Sequence, residues 1–375
     1  MKNPLLLPAF CLLMLLTALP GIAETTTKVR SHQTLEAAVL NPNLPLEKRI
    51  RALKTLLSDE MTDGRLHRTF CIWDPISKAG PIASAAKDQV LRSLHYGMQL
   101  TIEVFQNEQE MVDTFVNKKT CDAILVRGAT AQRFNRFLAT TEAPGALPDR
   151  QHLQLLAQVL AQPEIADHMT NGQYTALGLV TIGYSRLYAD SADKASLNSL
   201  DGKSVSVADT DTGFIRLVDA LRGRTRTGSM PATVQTFTNE LTELMVAPDI
   251  GYLAMASGRT GDQTRGLAMP LGQSTLQLIG HADRFPPGLA QILREDFLFK
   301  FNSYARMLDK ELSNIPESFW INPSPADLTT LNKSAQKVRL DLRGEGYYDP
   351  VMLRLARKIR CRFSPGESEC KNPVE

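Results

Sequence analysis

Residues 71–128 read as a compact β-α-β-α-β unit, and that alternation constrains the fold more than any other feature of the chain. Alternating strands and helices imply a parallel sheet covered by helices. The first strand covers about Thr69–Trp73 and runs into Asp74-Pro75-Ile76-Ser77-Lys78-Ala79-Gly80-Pro81. Pro81 suits a first helical turn, Ala86, Val90, Leu91 and Leu94 form an apolar face, and Gly97 ends the helix. Leu100, Ile102 and Val104 alternate in a second strand, and Asn107 and Glu110 have capping-box spacing before Met111 and Phe115. The third strand is Asp122–Val126. Such sheets bind ligands at the carboxyl ends of their strands. Trp73 to Lys78, and Arg127 with Gly128, therefore lie on the ligand side.

The N-terminus reads as a secretory signal. Lys2 supplies positive charge, Leu5 to Leu16 an apolar stretch, and Gly21-Ile22-Ala23 a small-residue cleavage site, so residues 1–23 are expected to be removed. The expected product is soluble and periplasmic, with no second stretch long enough to span a bilayer. The chain carries 42 Lys+Arg against 40 Asp+Glu, a balance that gives no nucleic-acid footprint. Arg354, Arg357, Lys358, Arg360 and Arg362 read as a solvated helix end, and Arg222, Arg224 and Arg226 as an exposed loop.

Four cysteines lie beyond the signal: Cys71, Cys121, Cys361 and Cys370. In an oxidising compartment they suggest two disulfides, with three possible connectivities. Cys361 and Cys370 are close in sequence, and Cys71 and Cys121 sit on neighbouring strands, which favours 361–370 and 71–121. Zinc is the alternative, but neither this spacing nor the histidines at 32, 67, 95, 152, 168 and 281 form a ligand pattern. No metal and no cofactor are implied.

Residues 24–66 read as a helical N-terminal appendage broken at Pro42 and Pro45. A helix is expected near Ala129–Leu138, a turn at Pro144 to Pro148, and a helix at Gln151–Ala161. Tyr174–Tyr188 is long and rich in β formers, as a connecting strand would be. A second α/β region follows: a strand at Lys203–Ala208, a helix opened by Asp209-Thr210-Asp211-Thr212-Gly213, and a strand at Ile250–Met255. Gln273–Gly280 leads back to the first region, and the chain from Pro287 onward is largely helical. This gives lobe 1 over 67–180, lobe 2 over 181–268, and a return to lobe 1 with C-terminal helices over 269–375.

Candidate chemistry gathers at the strand ends. Trp73 could stack on a ligand with Asp74 as polar partner, or belong to the core. Arg127 could clamp a carboxylate, or pair with Asp74 or a nearby acid. Asp209, Thr210, Asp211 and Thr212 open a helix, where free N–H groups could hold an anion or merely be capped. No catalytic set emerges. Gly183-Tyr184-Ser185-Arg186-Leu187 lacks the second glycine of a nucleophile elbow, Gly258-Arg259-Thr260-Gly261 is only a turn signal, and Asp309 with Glu311 is a solvated helix face.

Several ordered segments resemble the AdeT-type, TRAP-transporter solute-receptor-like proteins: Cys71-Ile72-Trp73-Asp74-Pro75, Cys121-Asp122-Ala123-Ile124-Leu125, Arg133-Phe134-Asn135, Gly145-Ala146-Leu147-Pro148, Met169-Thr170-Asn171-Gly172-Gln173-Tyr174, and Leu342-Arg343-Gly344-Glu345-Gly346-Tyr347-Tyr348-Asp349 with Arg360-Cys361. The resemblance spans about 69–370. It implies an α/β, two-lobed periplasmic binding-protein fold, with parallel-rich sheets and a helical C-terminal region, that closes on a ligand. It further implies a non-enzymatic solute-binding protein serving a TRAP-like system, with a small-molecule solute and the membrane subunits of a transporter as partners. TRAP receptors clamp a carboxylate with an arginine on a second-lobe strand, and the comparable Gly202–Val207 carries none. The alternative is an envelope interaction protein or efflux accessory that has lost solute binding and docks a partner through 24–66.

The expected cleft is lined by Trp73, Asp74, Ser77 and Arg127, faced by Asp209, Asp211 and Thr212. One arginine among several aspartates points to a zwitterionic or amine-bearing solute. Arg127→Ala and Asp209→Ala are each expected to weaken solute binding and to leave the melting temperature of the empty protein nearly unchanged.

Overall fold

The computed structural model describes residues 31–118, 120–251 and 263–375. The signal segment and the Gly258–Gly261 turn lie outside them, as do residues 252–255 of the strand expected after Asp249.

Eleven strands form one sheet. In chain order they are β1 (Leu66–Trp73), β2 (Met98–Phe105), β3 (Ala123–Arg127), β4 (Thr170–Asn171), β5 (Tyr174–Ala189), β6 (Ser204–Ala208), β7 (Arg224–Gly228), β8 (Leu244–Pro248), β9 (Arg265–Leu267), β10 (Gly272–His281) and β11 (Trp320–Ile321). The sheet runs β2-β1-β3-β10-β5-β8-β6-β7, with β4 and β9 added on β5 and β11 on β9. β2-β1-β3 is a parallel block, and so is β8-β6-β7. β10 and β5 pair antiparallel with each other and with the blocks they flank. The expected parallel-rich sheets are therefore two parallel blocks welded into one mixed sheet by two long strands. β5 is largely apolar, β10 sets Leu276, Leu278 and Ile279 among polar residues, and both are nearly fully buried, as strands covered on both faces should be.

The helix Pro287–Leu312 crosses β5 and carries the chain from the first block to the second. Gly178 of β5 permits the crossing: a Cβ there would lie 2.3 Å from Cγ of Phe297. Helices Pro325–Gly344 and Pro350–Phe363 complete the C-terminal region, capped by Ser324 and Asp349.

Several expectations change. Residues 31–40 and 46–56 are helices, broken between them at Pro42 and Pro45, and they pack on the body of the protein. Val39, Ile50 and Leu53 enter the main core, and buried Arg49 pairs with Glu295 of the long helix at 2.7 Å. The helix expected at 129–138 is two short ones, Gly128–Ala131 and Arg136–Ala139, because Asn135 breaks the run and caps Leu138 N–H. The strand expected at Ile250–Met255 is β8, ending at Pro248, and Ile250 is already helical. Arg224 and Arg226 lie on the exposed edge strand β7 rather than in a loop. Arg360 is not solvated: it is buried, pairs with Glu369 and Glu375, and donates to Ala146 O. Asp309 pairs with Arg150 across an exposed surface.

Both disulfides favoured from sequence are present, Cys71–Cys121 and Cys361–Cys370. The first closes a loop spanning 50 residues and the second one of 9. By loop entropy the Cys71→Ser/Cys121→Ser variant should lose about 4 kcal/mol and Cys361→Ser/Cys370→Ser about 2–3 kcal/mol. Urea unfolding of both variants tests the order, and equal losses would contradict it.

Candidate functional site

The carboxyl ends of β1, β3 and β6 meet where the two blocks face each other, and a single arginine spans them. Arg127, at the end of β3, donates from its backbone N–H and from Nε to Glu108, at 2.8 and 3.0 Å. Its Nη2 donates to Thr210 Oγ1 at 2.8 Å and its Nη1 lies 3.3 Å from Asp211 Oδ1. Glu108 opens the short helix after β2, and Asp211 precedes the helix Thr212–Ala220 after β6. The contact therefore joins the first block to the second. Burial opposes the charge on Arg127, but Glu108 and Asp211 outweigh it and hold the guanidinium protonated. Burial raises the pKa of Asp211, and Arg127 only partly offsets this.

A third carboxyl group completes the junction. Glu142 ends the turn Thr140–Glu142 and accepts from the backbone N–H of Thr275 and, at 2.8 Å, from its hydroxyl. A Cβ on Gly128 would lie 2.4 Å from Glu142 Oε1, so a side chain there would push this carboxylate aside. Burial, with Asp211 nearby, pushes the Glu142 pKa up to about 8. Thr212 and Tyr347 line a small cavity with Glu142, Asp211 and Tyr348. Three carboxyl groups thus gather at one arginine, whose charge Glu108 and Asp211 already take up, and the junction disfavours a further anion.

The other residues nominated from sequence lie as follows. Trp73 is 2 % exposed; its Nε1 donates to Gln106 O at 3.2 Å and its ring packs on the Arg127 guanidinium at 5.7 Å. Asp74 is fully buried and turns into its own loop, accepting from Ile76 N and Ala83 N at 2.9 Å each. It therefore anchors the start of helix Pro81–Ser93 and is not the partner of Arg127. Ser77, half-buried at φ +71°, forms the turn before that helix. Asp209 is exposed. Arg127, Asp211 and Thr212 come together with Trp73 behind them, whereas Asp74, Ser77 and Asp209 point elsewhere or serve the loop.

Sequence reasoning missed Glu108, Glu142 and a second buried pair. Arg186 of β5 binds Asp249 at 2.6 Å, between the rings of Tyr184 and Trp320. Asp249 follows β8 directly, so the strand-end argument would have found it had β8 been placed correctly.

On one face of the sheet lies an apolar cavity of about 180 Å³. Ile72, Leu125 and Leu276 form its floor, Ile82 and Ala85 of helix Pro81–Ser93 one wall, and Ile250, just after β8, belongs to the second block. Alternation puts Gln277 on the opposite face, where it bonds Leu138 O. Among the described residues no acidic, histidine or cysteine group could hold a metal, and no helix is long and apolar enough to cross a membrane.

Comparison with known proteins gives a consistent result. The family described as "Solute-binding protein AdeT 1/2" matches residues 88–375. The chain is 26% identical over 300 residues to "Probable solute-binding protein AdeT1" of Acinetobacter baumannii, covering 80% of this chain and 98% of that one. It is 20% identical over 234 residues to "Probable solute-binding protein AdeT2" of the same organism, covering 62% and 98%. Similar solved structures include a TRAP periplasmic solute binding protein from Desulfovibrio salexigens with bound orotic acid (TM-score 0.65, 13% identity, 79% of this chain and 99% of that one). Another, from Ralstonia eutropha with bound (S)-2-acetolactate, has a TM-score of 0.63 at 13% identity, with the same coverage. At that identity they share the fold. The match over residues 88–375 places this chain in the AdeT1/2 family of solute-binding proteins.

Proposed function

We propose that this protein is an exported, non-enzymatic periplasmic receptor that captures a small solute in the crevice between two lobes and presents it to a TRAP-like transport system. The lobes correspond to 67–180 with 269–375, and to 181–268. The observation that carries this reading is Arg127, which reaches from the end of β3 to Thr210 and Asp211 beyond β6. A residue that ties the strand ends of both blocks is what a closing crevice requires. The short apolar segment 5–16 ending at Gly21-Ile22-Ala23 supports export.

TRAP proteins with orotic acid and (S)-2-acetolactate bound are similar to this chain in fold. Here Glu108 and Asp211 already pair with Arg127, which disfavours an acid at that position. We assign Arg127 and Asp211 to closing the crevice, with Trp73 as the surface on which the guanidinium rests. Thr212 stands beside Asp211 at the same junction. The docked helices at 31–56 speak against a free partner-binding arm over those residues.

Thermal unfolding in the presence of organic acids, amino acids, polyamines, and aromatic alcohols and amines tests the receptor reading. At least one class should raise the melting temperature by several degrees, because a ligand that binds only the folded state stabilises it by mass action. No shift from any class, with an unchanged radius of gyration in solution, would reject it.

A further inference from the structure

The cavity beside helix Pro81–Ser93 carries information about the solute that the arginine junction does not. Its floor and walls are apolar, and its volume of about 180 Å³ is close to that of a cavity which takes up benzene. Among the described lining residues there is no lysine, arginine or histidine. The polar groups are neutral, Ser84, Gln89, Thr181 and Tyr304, with one exception: the carboxylate of Glu311. A carboxylate solute would enter without a counter-charge and would lose its hydration, at heavy cost.

The long helix orders these groups. Phe297, Tyr304, Leu308 and Glu311 follow at intervals of seven, four and three, which puts them on one helical stripe. Phe297 is buried at the inner end and Glu311 is exposed at the outer end. Glu311 lies one turn beyond Leu308, about 5 Å along the helix axis. A body seated among Leu276, Leu125 and Leu308 therefore has, one short arm away, a carboxylate at the mouth. Burial pushes the Tyr304 phenol up to about 12, so it stays neutral there.

Resting on the receptor reading above, we infer that the solute is a small apolar amine, a single-ring or branched aliphatic body in this cavity with its ammonium directed to Glu311. The organic acids seen in proteins of the same fold do not suit this chain. The arginine at the strand-end junction, Arg127, is already taken by Glu108 and Asp211, and the described lining of the cavity offers no cation.

Titration calorimetry of the full mature protein with three probes of one shape tests this: 2-phenylethylamine, 2-phenylethanol and 3-phenylpropanoate. The amine should bind best, the alcohol more weakly by roughly tenfold, and the acid by roughly a hundredfold or more. Glu311→Gln should abolish the preference of amine over alcohol and leave alcohol binding unchanged. Ala85→Phe should fill the cavity and remove binding of both, with apo melting unchanged or raised. If that variant melts early, Met307→Trp, at an exposed position on the mouth, should weaken both ligands instead. Binding of the acid equal to that of the amine, or full binding in both Ala85→Phe and Met307→Trp, overturns the inference. So does a melting shift with organic acids and none with the phenyl series, which would leave the receptor reading intact. Silence of every solute class would end both.

Discussion

Arg127→Ala is expected to lower the melting temperature of the ligand-free protein by roughly 4–7 °C, the range implied by a loss of about 3–5 kcal/mol in a chain of this size. The reason is the company the guanidinium keeps. Its side chain is 6 % exposed, and those of Glu108 and Asp211 are 13 % and 8 % exposed. Removing the arginine strands two carboxylates in a place where burial already opposes the charge of one of them. It also strips the ring of Trp73 of its cover. A free ligand clamp would behave in the opposite way, leaving the empty protein stable. The double variant Arg127→Ala/Asp211→Ala should recover part of the loss, because the uncompensated carboxylate goes with the arginine. Calorimetry of the three proteins without added solute decides it. An apo melting temperature within 1–2 °C of the parent, on the scale of surface substitutions, would show that the junction is not structural.

How far the sequence could lead depended on which physics fixed each residue. The strands β1, β2 and β5 were legible because burial on both faces, or alternation, writes itself into consecutive residues. The disulfides followed from strand adjacency and from a 9-residue spacing. β8 was misplaced because its last residue is Pro248, which reads as a strand breaker although the strand ends there. That error hid Asp249 and its pair with Arg186.

Asp74 illustrates a deeper ambiguity. An aspartate at a strand end is demanded equally by a ligand and by the N–H groups of the following turn, and here Ile76 and Ala83 claim both its oxygens. Glu142 could not be found at all, since its partner Thr275 lies 133 residues away and nothing local marks the contact. The cavity was equally hidden. Ile72, Leu125 and Leu276 look like any core residues, and whether a neighbour fills the space beside them is decided by tertiary packing alone.

Glu142 carries the second large expected effect, on the pH dependence of stability. Its folded pKa of about 8 lies above the ordinary value of 4.5, because burial penalises the charge. Between those two values the folded protein holds a proton that the unfolded chain has released. Stability tied to this group is therefore full below the ordinary value and is lost as pH rises toward 8. The residue keeps part of its surface exposed, so solvent screens the effect, and a loss of about 1–3 kcal/mol between pH 5 and pH 8 is expected.

The charged groups facing it from other elements reinforce the sign. Asp211 is also raised by burial and loses stability in the same direction, while Arg127 stays charged throughout. Carboxylates held below their ordinary range, such as Asp327 and Glu369, act at lower pH and do not compete in this window. Glu142→Gln keeps an oxygen that can accept from Thr275 and cannot ionise. The variant should match the parent at pH 5 and exceed its stability at pH 8, with a flatter profile between. Urea unfolding in steps across that range measures both curves. Parallel profiles for parent and variant would mean that Glu142 is ionised in the folded protein from pH 5 upward, and that Arg127 neutralises more of the junction than its contacts with Glu108 and Asp211 leave free.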